Sequence, residues 1–292
     1  MLLRSLGWVA LLFVPGAFGQ EAAAQPAPSD ASHPASEAIS LAPAQAPGDA
    51  SLGLSFDLGI STAYVLRGYN VFQKSSQWDQ HPFAAPSITY VIPKTGGLSI
   101  GYWGAYQLAG ANITEAMDAG LGAENDFILS YGHSVSGAVS GGLGFTAYIY
   151  PAAKEETAGT RVPIYVEPAM FATFATVADL GIKIAYYHGT QQAISAYRYV
   201  YFNPTVGKTV AFNDRVSLAA TASFGLKLFT DRTTSISKFN TVDLLIGVGV
   251  PVTIAGPFYV KPSVSWAWTN FPDRSMNEEM VVFGGANLGV SL

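Results

Sequence analysis

Two short stretches of this chain carry residues that could do chemistry. In Gly132-His133-Ser134-Val135-Ser136 an imidazole stands beside a hydroxyl, the pairing a hydrolase uses to activate a nucleophile. The stretch lacks the closing glycine of a nucleophile elbow, and it offers no strand-to-helix turn. In a strand, neighbouring side chains point to opposite faces, so His133 and Ser134 are set apart. The second stretch is acidic: Glu115, Asp118 and Glu124, with Asp126 nearby, supply the oxygen ligands that Ca²⁺ prefers. Their spacing fits no calcium motif, and a solvated acidic loop is the simpler reading. No catalysis, cofactor or metal is expected.

The remaining ionisable residues gain meaning from the elements that must hold them. From Leu52 onward hydrophobic residues fall on every second position, beginning with Leu52, Leu54, Phe56, Leu58 and Ile60 and continuing through Thr62, Tyr64 and Leu66. Between them stand Gly53, Ser55, Asp57, Gly59, Ser61, Ala63 and Arg67. A period of two is the pleat of a β-strand with one apolar and one polar face. Here the polar face is mostly Gly, Ser, Ala and Thr, and only 12% of the chain is charged. That pattern predicts a barrel turned inside out, apolar toward lipid and polar toward a lumen.

Counted this way, residues 51–292 form a transmembrane, antiparallel, up-and-down all-β barrel of about twelve strands. The first strand is expected over 52–67, the second over 83–92 and the third over 98–108. Tight turns fall at Pro93–Gly97, Val177–Asp179, Asn213-Asp214 and Ala255–Pro257, where Gly, Pro, Asn and Asp cluster. Longer loops alternate with them, including 73–80 and 109–125. A short pattern recurs at Phe83–Ile88, Tyr165–Met170, Tyr201–Val206 and Tyr259–Val264: an inward aromatic followed by an outward proline. Because proline cannot donate to a ladder, these positions are expected at strand ends or bulges.

Residues 1–19 have the positive start, apolar stretch and small residues of a cleaved secretory signal. Residues 20–50 are Ala, Pro, Ser and Gln with few large apolar side chains, a composition that favours a disordered linker. The chain has no cysteine, which removes disulfides and thiolate sites. The net charge of −5 and the absence of a basic, aromatic-interleaved stretch argue against nucleic acid.

With the strands assigned, Asp57, Arg67, Asp126, Glu167, Lys183, Arg215, Lys227, Asp243 and Lys261 are expected to line the lumen, since charge in lipid is costly. Trp103, Tyr148, Tyr165, Tyr187, Tyr199, Tyr201 and Tyr259 narrow the same space. Tyr64, Tyr90, Tyr102, Tyr186, Trp266 and Trp268 are expected outward, as an interfacial girdle.

Thr62-Ala-Tyr64-Val-Leu-Arg67-Gly68 resembles the opening signature, S-x-Y-x-x-R-G, of the proteobacterial outer-membrane family Gcw_chp. The resemblance extends to Gly101–Ala105, Glu124–Asp126, Tyr131-Gly132, Gly144 and Tyr148–Pro151, and covers about residues 52–151. Thr62 departs from the usual serine, and the segment after Gly68 differs. The resemblance implies a barrel in the bacterial outer membrane and implies no activity. Together these features lead to the expectation of a porin-like passive channel for small solutes. The alternative is a structural or surface-interaction barrel, its lumen occluded, acting through extracellular loops. Expected partners are outer-membrane lipid, a small solute and the barrel assembly machinery.

Overall fold

A computed structural model describes residues 52–67, 69–70, 82–108, 124–151, 164–190, 198–230, 241–270 and 280–292. The expected signal and linker, loop residues 73–80, and the acids Glu115 and Asp118 lie outside them.

The strands are β1 (Leu54–Ser61), β2 (Val65–Leu66), β3 (Tyr69–Asn70), β4 (Phe83–Val91), β5 (Leu98–Gln107), β6 (Glu124–Ser136), β7 (Val139–Ile149) and β8 (Ile164–Ala175). They continue as β9 (Asp179–Gly189), β10 (Arg198–Ala211), β11 (Ser217–Phe229), β12 (Thr241–Gly249), β13 (Val252–Ala255), β14 (Phe258–Thr269) and β15 (Met280–Ser291). Every long strand pairs antiparallel with its neighbour in sequence, and β15 returns to β1 through rungs such as Phe56↔Val290. The β12–β14 pairing completes the ring, so twelve long strands form a closed barrel. The short β13 extends β12 beyond Pro251, and β2–β3 is a separate two-stranded sheet.

Alternation decides which way each residue points. Phe56, Leu58, Ile60, Leu129, Phe145, Ile246 and Val282 are exposed on the outer surface, and their odd or even partners face the lumen. In water such a surface would aggregate; in a bilayer it is the solvated side. Near one rim Tyr102 and Tyr106 share a hydroxyl contact of 3.0 Å, and Tyr102 donates to Asn125 Oδ1 at 2.7 Å. These amphipathic side chains suit the membrane interface. The protein is therefore a β-barrel of the bacterial outer membrane, with lipid as its outer solvent.

The connections are unequal. Turns of two to six residues at 92–97, 137–138, 176–178, 212–216 and 256–257 close one end. The connections 62–82, 108–123, 150–163, 190–197, 230–240 and 270–279 all leave from the other. We call these the turn end and the loop end.

The prolines correct one expectation. Pro86, Pro168, Pro204 and Pro262 face outward but sit inside strands, with no shift of register. On one side of three of them the ladder skips rungs and then resumes in step, as between Ala84↔Tyr106 and Ser87↔Trp103. The missing N–H removes a local bond, and the second neighbouring strand holds the register.

Candidate functional site

The barrel wall loses its first strand early. β1 ends at Ser61 rather than at residue 67, because Ser61 and Thr62 divert the chain. Ser61 Oγ donates to Ala63 O at 3.0 Å, and Thr62 and Gly284 exchange contacts on β15 at 2.9 and 3.1 Å. A serine hydroxyl bonded two residues ahead offers the backbone an alternative to the ladder. Beyond it the chain turns into the barrel, where Leu66 pairs with Tyr69 across Arg67-Gly68. Such a two-residue connection between paired strands calls for positive φ, and Arg67 has a φ of 51°.

This inward segment touches wall on several sides of the lumen. Ala63 and Val65 are fully buried in a cluster with Ala267 of β14 and with Val281 and Phe283 of β15. Tyr64, 2% exposed, packs its ring 5.1 Å from Phe83 on β4 and 5.5 Å from Trp103 on β5. Its hydroxyl donates to Glu124 Oε2 at 2.5 Å, while Tyr150 donates to Oε1 of the same carboxylate at 2.9 Å. The structure thus corrects Tyr64 from the lipid face to the lumen. The alternation that placed it outside continues in the sequence after the strand has ended.

Arg67 reaches the opposite wall. Its guanidinium donates to Glu167 Oε2 on β8 and to the Tyr199 hydroxyl on β10. Lys183 on β9 donates to the other Glu167 oxygen at 2.7 Å. The guanidinium carbon lies 4.3 Å from the ring centre of Tyr201, 5.2 Å from Tyr199 and 5.4 Å from Tyr187. Aromatic faces at these distances attract a cation. Lys227 on β11 donates to the Arg67 carbonyl at 3.0 Å, holding the turn as well as the side chain.

The wall around this site is built of stacked tyrosines. Tyr165, Tyr187 and Tyr199 run across β8, β9 and β10 with ring centres 4.9 and 5.0 Å apart and planes within 19°. Tyr148 and Phe229 flank them at 5.5 and 5.3 Å. Gly225 leaves the room for Tyr201 to donate to Asp243 at 3.1 Å; a Cβ there would run into both side chains. Arg67, Glu167 and Lys183 are each at most 3% exposed, so their charges compensate one another away from water.

Toward the turn end the lumen changes character. Its lining is rich in hydroxyls and glycines: Ser99 meets Ser130 at 2.7 Å, Ser140 bonds Thr173, and Thr209 and Thr221 are exposed. Just beneath the inward segment lies a cavity of about 50 Å³, lined by Asp57, Ser61, Ser87, Thr89, Ser263, Ser265 and Asn287 and reaching Trp103 and Phe283. Asp57 accepts from Tyr259.

Of the residues singled out from the sequence, Arg67, Glu167, Lys183, Lys227 and Asp243 converge on the loop-end cluster, with Asp126 and Trp103 on the Tyr64 side. Asp57 and Lys261 lie on lumen faces nearer the turn end. Arg215 is a correction: it is exposed in the β10–β11 turn, where its amide donates to Asn213 Oδ1 at 2.9 Å. The alternation that would carry it into the lumen begins only two residues later, at Ser217, the start of β11. His133 and Ser134 are both exposed near the β6–β7 turn, and Ser134 Oγ donates to Ser136 O at 2.8 Å. Glu124, expected from the sequence as a loop acid and as part of the family resemblance, instead opens β6. Its role as the anchor for Tyr64 could have been suspected from a carboxylate standing at the start of an alternating run.

No protein-family model and no curated protein sequence matches the chain. Solved structures similar in strand layout include the KdgM porin, 9% identical over 82% of this chain and 99% of that one, with a TM-score of 0.48. The NanC porin is 10% identical over 82% and 98%, with a TM-score of 0.44. LpxR from Salmonella typhimurium is 10% identical over 82% and 100%, with a TM-score of 0.46. At these identities the similarity concerns the barrel alone.

Proposed function

We propose that this protein is an outer-membrane barrel whose lumen is closed near its extracellular end by residues 62–67, so that it is no constitutively open diffusion channel. The loop end faces outside, as the long connections of outer-membrane barrels do. The observation that carries the reading is the placement of one short segment, buried against β4, β5 and β6 on one side and against β8 to β11 on the other. In this state the barrel presents its long outer connections to the cell surface and a blind, hydroxyl-lined vestibule to the periplasm. The sequence that forms the closure is the stretch that resembles the Gcw_chp signature.

A second reading is favoured by the vestibule itself. Its small polar lining is what a channel for small hydrophilic solutes needs, and desolvating three charges to hold a plug is an expensive way to gain stability. On that reading the protein is a porin-like channel observed shut, and residues 62–67 are its gate.

Planar-bilayer recording tests both. The wild-type protein is expected to give no stable openings under ordinary salt. Replacing residues 62–67 by a Gly/Ser linker is expected to give steady conductance. A wild-type protein with steady, ohmic openings overturns the closed reading. Rare, discrete openings of the wild type that match the linker variant in size favour the gated one.

A further inference from the structure

The groups around the Arg67 guanidinium belong to the wall, not to the segment that carries it. Glu167 supplies a carboxylate from β8, Tyr187 a ring from β9, and Tyr199 and Tyr201 two rings and a hydroxyl acceptor from β10. A carboxylate opposite aromatic faces recognises a planar cation, and it prefers a guanidinium to an ammonium because the flat, forked group stacks and donates at once. Lys183 holds one Glu167 oxygen at 2.7 Å and fixes the carboxylate's orientation, leaving the other for Arg67. Tyr201 is held by its hydroxyl on Asp243 at 3.1 Å. The site is preorganised by contacts that do not involve Arg67.

The occupant is not at ease. The turn that brings Arg67 to the site holds it at a backbone φ of 51°, in the left-handed region that non-glycine residues rarely adopt. A free guanidinium-bearing solute has no such constraint. We propose that Glu167, Tyr187, Tyr199 and Tyr201 form a guanidinium-recognition site in the lumen wall, occupied in this state by the chain's own Arg67. Solutes carrying that group take it in competition with Arg67. They approach from the vestibule, where Thr209 and Thr221 are open to solvent. That competition rests on the reading of residues 62–67 as the closure; recognition by the wall does not.

Calorimetric titration with methylguanidinium chloride tests it, using full-length Arg67→Ala protein in detergent and choosing preparations whose unheated gel mobility shows a folded barrel. Saturable binding in the millimolar range is expected. It should be lost in Arg67→Ala with Glu167→Gln, and weakened at least tenfold in Arg67→Ala with Tyr201→Leu. Methylammonium chloride at matched ionic strength should bind at least tenfold more weakly than methylguanidinium. If Arg67→Ala fails to fold, Arg67→Met keeps an aliphatic stem against the rings and takes its place. Folded protein that binds no methylguanidinium, or binds it equally well after Glu167→Gln, overturns the site. In bilayers, methylguanidinium is expected to raise the open fraction of the wild type. Binding to Arg67→Ala without any such rise would keep the site and reject its link to closure.

Discussion

The two halves of the lumen are lined by the same twelve strands and obey the same alternation, yet they solve opposite problems. Toward the loop end, large and charged side chains fill the space: Tyr64, Phe83, Trp103, Arg67, Glu167, Lys183 and Lys227 are all buried. Toward the turn end Gly, Ser and Thr predominate at the inward positions, beside Asp57, Tyr259 and Lys261, and several of them are solvent-exposed. A barrel of this strand number has room for either arrangement. Side-chain volume therefore decides where it is closed, and one segment of the first connection completes the closure.

If the loop-end half is a charge-compensated core, removing its shared anion should have the largest effect. Glu167→Ala leaves Lys183 and the Arg67 guanidinium buried without their carboxylate and is expected to cost about 3–5 kcal/mol. Urea unfolding in lipid vesicles checks it; a loss below 1 kcal/mol would mean that water reaches the cluster. Next comes Tyr64. Tyr64→Ala empties the pocket between Phe83 and Trp103 and should cost about 3–4 kcal/mol. Tyr64→Phe keeps the ring and removes one donor to Glu124, at about 1–2 kcal/mol. Equal losses for the two variants would assign the whole effect to the hydroxyl.

Gly225→Ala probes the boundary between the halves. Its Cβ would push against Asp243 and Tyr201, and a loss of about 1–3 kcal/mol is expected in the same assay. The smallest effect belongs to the vestibule. Thr221→Ala and Ser223→Ala should change stability by no more than about 0.5 kcal/mol, because their side chains border solvent. A large loss at either position would show that the turn-end half is packed as well, and would erase the comparison.

The barrel wall was legible from the sequence because lipid and lumen impose a strict period of two, and strand ends were marked by Gly, Pro, Asn and Asp. The outward face of the four prolines and most of the charged lumen positions follow from that period, and the tight turns from those markers. The plug was not legible, and the reason is physical. Thr62, Tyr64 and Leu66 keep the same alternation after the chain has left the sheet, since a short hairpin inside a lumen also has two faces. Period two reports the pleat and not the partner. Two residues carried the missing signal. Arg67 before Gly68 is a pair suited to a tight connection, and Glu167 is an acid that needs a cation from somewhere in the lumen. Neither signal gives a distance, so the pairing across the lumen required the folded structure.

The absence of cysteine from the whole chain permits the most direct test of closure. A single Ser223→Cys places one thiol on the lumen face of β11, below the plug. Intact cells are then exposed to a thiol reagent too large and too charged to cross the outer membrane. With residues 62–67 unaltered, the thiol should stay unlabelled from outside; with those residues replaced by a Gly/Ser linker, it should label readily. Labelling at the same rate in both would contradict a lumen closed by this segment.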